Sequence, residues 1–60
     1  MAEPLEEAKR KEVFLALVQL QDEGWPTELS RSKVADRFAI EVSEVQDVER
    51  EGIAKQWPPL

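Results

Sequence analysis

Sixty residues make one small domain, and such a chain buries only roughly 60% of the surface it exposes when unfolded. It holds no Cys and no His, which closes the disulfide route and all but closes the metal route to extra stability. Thirteen acids stand against eight bases, a net charge of −5 that argues against a free-standing binder of nucleic acid.

Residues 4 to 23 read as a first helix. Pro4 suits a first turn, where its missing N–H costs nothing. Glu3, Glu6 and Glu7 suit the positive end of the helix dipole, and Gly24 is a natural terminator. Val13 to Val18 is apolar around the whole circumference. Val13, Ala16, Leu17 and Leu20 form the face assigned to the core, with Leu5 nearby. Leu15 and Val18 point the other way, with Phe14 between them. A chain this small cannot wrap both sides of its first helix. Either the tail covers that side through Trp57 and Leu60, or Phe14, Leu15 and Val18 meet another chain, most simply by two-fold packing of helix 1 on itself. Trp25 is expected in the core where helix 1 meets helix 2.

A second helix runs from about 28 to 39, with Thr27 or Ser30 as its cap and Val34, Ala35 and Phe38 as its apolar stripe. Ile40-Glu41-Val42 is the connection. A third helix follows over about 44 to 52. Ser43-Glu44-Val45-Gln46 reads as a capping box, Val45 and Val48 share a face that Gly52 can join, and Gly52 either ends the helix or marks its last turn, with Ile53 folding back after it. Residues 55 to 60 form a tail kept extended by Pro58 and Pro59. Trp57 is placed either on its own domain or in a groove of a partner.

The segment from Val34 to Val48 carries a small residue, Ala35, where two short helices would cross. Ala39 stands at the turn, Ile40 follows it, and Val45 and Val48 lie on the buried side. On these residues the chain resembles the helix-turn-helix superfamily and, more loosely, the last helices of sigma-factor region 4. Ala39 departs from the Gly usual at that turn. The resemblance implies an all-α three-helix bundle with a helix-turn-helix core and an extended C-terminal tail, and a third helix that enters the major groove of DNA.

Charge opposes that use. From Glu41 to Glu51 there are five acids and one base, Arg50. Gln46 can read adenine, but phosphate contacts hold such complexes together. The bases available for DNA are Arg31, Lys33 and Arg37, with Lys9, Arg10 and Lys11 on helix 1. The alternative nucleic-acid set is therefore Arg31, Lys33, Arg37, Gln46 and Arg50. The protein-interaction set is Phe14, Leu15, Val18, Glu44, Asp47 and Trp57.

With no His, no Cys and no glycine-rich phosphate loop, the residues for nucleophilic or phosphate chemistry are missing. An enzyme is not expected, nor a cofactor, a metal or a small-molecule substrate. Six consecutive apolar residues fall far short of the roughly 20 that a membrane span needs. With no secretory signal read, the expected place is the cytoplasm. The sequence thus predicts a non-catalytic adaptor or regulator that acts by protein association, with a dimeric DNA-binding regulator as the alternative.

Overall fold

The computed structural model describes residues 6–58. Three helices follow in order: α1 (Glu7–Asp22), α2 (Thr27–Phe38) and α3 (Val42–Lys55). Each packs against the other two, and no strand occurs among the described residues. The architecture is an all-α three-helix bundle. Pro4, Leu5 and Leu60 lie outside the described residues, and the first helix begins at Glu7, after an extended Glu6, rather than at residue 4.

Val13, Phe14, Ala16 and Leu17 of α1, Val34 and Ala35 of α2, and Val45 and Val48 of α3 make the core, closed by Trp57. Val18, Leu20, Phe38 and Ile40 pack around it, partly buried. Spacings of three and four residues put these side chains on one stripe per helix. Phe14, expected with Leu15 and Val18 in an interaction surface, is instead only 1% exposed. Its place is made by Gly52. A Cβ at position 52 would overlap three ring carbons of Phe14, the farthest of them at 2.8 Å.

All three helices stop in the same way. Gly24 (φ 97°), Ala39 (φ 56°) and Gln56 (φ 54°) take the left-handed conformation. The next residue then turns its N–H back: Trp25 to the carbonyl of Leu20 at 3.2 Å, Ile40 to Ala35 at 2.9 Å, and Trp57 to Gly52 at 2.9 Å. The left-handed residue adds its own bond, Gly24 to Gln21, Ala39 to Asp36 and Gln56 to Ile53. This is the Schellman arrangement, which satisfies carbonyls otherwise left open at a helix end. It is usual with glycine, yet two of the three positions here carry a Cβ.

Helix α3 runs on to Lys55, so of the two places expected for Gly52 the last turn is the one it takes. Its missing side chain serves packing, and the stop belongs to Gln56. Ser43, expected to cap α3, does not, because Glu41 holds that position without a side-chain bond. The stop at Ala39 leaves only Ile40 and Glu41 before α3 begins. Likewise neither Thr27 nor Ser30 caps α2, whose N-cap is Pro26. The Ser30 hydroxyl donates to the Thr27 carbonyl at 2.7 Å, which satisfies it in a fully buried position. In place of side-chain caps, Glu7, Glu28 and Glu44 sit in the first turns, where a carboxylate meets the positive end of the helix dipole.

Candidate functional site

Helix α3 buries Val45, Val48 and Gly52. Stepping 100° per residue from that face puts Glu49 on the flank beside α2 and Glu51 on the flank beside α1. Both are claimed by a facing arginine. Arg31 donates from Nη2 and Nε to Glu49 Oε1 at 2.8 and 3.0 Å, and Gln21 reaches Oε2 of the same carboxylate at 3.4 Å. Arg10 donates to both oxygens of Glu51 at 2.8 and 3.3 Å, and Lys55 adds a third donor at 2.9 Å. The Lys55 hydrogen bond, and after it that of Arg10, hold the Glu51 carboxyl below its ordinary value of 4.5.

The acids of α3 therefore do not form one carboxylate wall. Two of them tie the helix to its neighbours. The outward face consists of Ser43, Gln46, Asp47, Arg50, Ile53 and Ala54, where Asp47 and Arg50 approach each other at 3.8 Å. Glu44 is half-buried on the α1 flank, and Asp47 is exposed, so these two interaction candidates stand apart.

The bases tell a matching story. Five are in ion pairs: Lys9 with Glu12, Arg10 and Lys55 with Glu51, Arg31 with Glu49, and Arg50 with Asp47. The remaining three lie over rings, Lys11 over Trp57 at 5.9 Å, Lys33 over Trp25 at 5.0 Å and Arg37 over Phe38 at 5.7 Å. Among the described acids, Glu6, Glu7, Asp22, Glu23, Glu28, Asp36, Glu41 and Glu44 make no ion pair within the described residues. Of the nucleic-acid candidates, Arg31 is committed to Glu49. Lys33 and Arg37 lie together in a shallow groove of about 480 Å³ with Leu20 and Val34. Gln46 and Arg50 lie on another, of about 420 Å³, with Arg31, Glu49 and Ile53.

The apolar candidates are rearranged. Val18 packs partly buried against the core, so of the helix 1 set only Leu15 faces solvent, 42% exposed. It rims a groove of about 360 Å³ between α1 and α2 with Lys9, Glu12, Phe38 and Arg37. Trp57 docks on its own domain. It meets Phe14 edge-on, ring centroids 6.0 Å apart, while Leu15 stays exposed. Trp25, expected in the core, is instead 36% exposed beneath Lys33, because the turn at Gly24 carries it to the rim.

Sequence reasoning missed three exposed apolar side chains: Leu29, Val42 and Ile53. Ile53 was expected to fold back on the helix end, but it lies in the interior of the last turns of α3 and is 58% exposed. The signal was present. Once α3 runs to Lys55, Val42, Gln46, Glu49 and Ile53 recur at spacings of four, three and four residues along one edge.

Among the described residues no helix is long and apolar enough to cross a membrane. No family model, curated protein or solved structure matches the chain.

Proposed function

We propose that this chain is a non-catalytic adaptor or regulator that acts through protein–protein association. The observation that carries the reading is the distribution of charge: Arg10 and Arg31, the part-buried bases that reach α3, are held by Glu51 and Glu49, while Glu6, Glu7, Asp22, Glu23, Glu28, Asp36, Glu41 and Glu44 make no ion pair within the described residues. Those acids repel a phosphate backbone, and Arg10 and Arg31 would have to leave their carboxylates to meet it. The exposed apolar side chains Leu15, Leu29, Val42 and Ile53 supply surface of the kind that protein contacts bury. Retention on duplex DNA at low salt tests the reading. The expected result is none, and retention that falls steeply with added salt overturns it.

A DNA-binding regulator is the second reading. It is favoured by the outward face of α3, where Glu49 and Glu51 are turned to the flanks and Ser43, Gln46 and Arg50 stand beside a single acid, Asp47. On that reading Arg37→Glu abolishes retention.

A further inference from the structure

Two adjoining hollows between α1 and α2 share Arg37 and make one trough whose charge differs from that of the rest of the chain. Its lining holds three bases, Lys9, Lys33 and Arg37, against two acids, Glu12 and Asp36. The remaining residues hold five bases against eleven acids. We infer that this trough is the docking surface for an acidic amphipathic helix of a partner protein. This rests on the association reading and names the chemistry of the partner.

Lys33 and Arg37 are exposed and make no ion pair within the described residues. They stand one turn apart, about 6 Å along α2, which is also the rise between carboxylates four residues apart on a facing helix. Stepping about 100° per residue puts Arg37 nearest α1 and Asp36 farthest from it, so Asp36 stays on the outer lip. Glu12 is engaged by Lys9 at 3.2 Å. The groove beneath Ile53 also has a surplus base, but there Arg31 and Arg50 each have a carboxylate, Glu49 and Asp47.

The trough also gathers apolar surface. Leu15, Trp25 and Leu29 are three of the five exposed large apolar side chains among the described residues. Leu15 lines the trough, Trp25 lies under Lys33 at 5.0 Å, and Leu29 precedes Lys33 by one turn. Helices α1 and α2 run antiparallel, with Lys9 near the start of one over Phe38 at the end of the other. The space between them is of the kind a third amphipathic helix fills, its apolar stripe inward and its carboxylates against the bases. A second copy has no such helix to offer, because the apolar stripes of all three of its helices are used in its own core. A long polyanion fits less well. It would run on past the trough to Asp22, Glu23 and Glu28, which flank Trp25 in the chain and make no ion pair within the described residues.

The probe is a synthetic peptide of two Ala-Leu-Glu-Ala-Leu-Leu-Glu repeats, titrated into the full chain and followed by amide NMR shifts. Saturable shifts are expected at Leu15, Trp25, Lys33 and Arg37, with Kd on the order of 100 μM. Lys33→Glu and Arg37→Glu are each expected to weaken binding about fivefold or more, and Lys33→Gln and Arg37→Gln less, with the helicity of the free chain unchanged. Arg50→Glu alters the net charge equally on another face and is expected to leave Kd within about twofold. A peptide with Gln in place of Glu is expected to bind about fivefold more weakly or worse. No saturable shift, shifts confined to other faces, equal loss with Arg50→Glu, or equal binding of the Gln peptide overturns the docking. So do shifts at these residues on concentrating the chain alone, which would assign the trough to a second copy. Those results leave the adaptor reading standing, whereas duplex DNA that shifts the same amides overturns both.

Discussion

The ring of Phe14 occupies the space that a side chain on Gly52 would need. A glycine inside a helix costs about 1 kcal/mol relative to alanine. Here it admits the largest side chain of the fully buried core. Because the ring is enclosed, it cannot swing aside, and an added methyl group must displace α3.

Gly52→Ala is therefore expected to destabilise the domain, by about 1–3 kcal/mol, although it raises helix propensity. Thermal unfolding checks this. On so small a domain each kcal/mol is worth about 4–8 °C. A rise in Tm would mean that the Phe14 ring is not fixed where it lies.

The left-handed residue Ala39 makes the opposite case. An L side chain with φ 56° carries strain of about 1 kcal/mol, which glycine relieves. Ala39→Gly is expected to stabilise the domain by about 0.5–1 kcal/mol, less whatever the unfolded chain gains in freedom. Gln56→Gly should do the same at the end of α3. Urea unfolding midpoints at constant slope measure both.

Trp57 is 5% exposed and stands edge-on to Phe14, although it lies past the last helix. Trp57→Ala is expected to cost about 3–5 kcal/mol, most of what a domain of this size has. Loss of a cooperative transition in calorimetry is the expected readout. A near-wild-type transition would show that the tail is dispensable.

Glu51 makes one ion-pair contribution depend on pH. Its carboxyl is held below 4.5 in the folded state by Lys55 and Arg10, so its contribution is complete above that value and fades as pH falls through the lowered one. Glu51→Gln is expected to lower Tm at neutral pH, with the difference from wild type shrinking below pH 4.5. A difference that does not change with pH would remove the ion pair as its cause.

Much of the bundle was legible because its signals are local. Val13, Ala16 and Leu17, then Val34 and Ala35, then Val45 and Val48 announce three buried stripes at helical spacing, and Gly24 announces the first turn. What escaped depends on contacts between distant residues. Gly52 reads as a helix end or a last-turn residue, and nothing local says that Phe14 will pack against it. Ser43 reads as a cap until the stop at Ala39 forces α3 to begin at Val42. The five acids around α3 read as one repulsive surface because nothing local says that Arg10 and Arg31 will reach two of them from other helices. Helix 1 read as doubly apolar because the cover for Phe14 comes from the far end of the chain. The exposed Ile53 followed from the same misplaced helix end.

The recurrent helix stop fixes the spacing at two of its three occurrences. At Gln56-Trp57 one residue reverses the backbone and its neighbour enters the core, and at Ala39-Ile40 the neighbour packs partly buried against it, whereas at Gly24-Trp25 it stays at the rim. Halting and anchoring are thus performed by adjacent positions, with no slack between them. A single residue inserted at either junction would leave the bend intact but aim the wrong side chain inward. The connections in this protein are consequently part of its interior design, and their lengths should be as intolerant of change as the buried residues themselves.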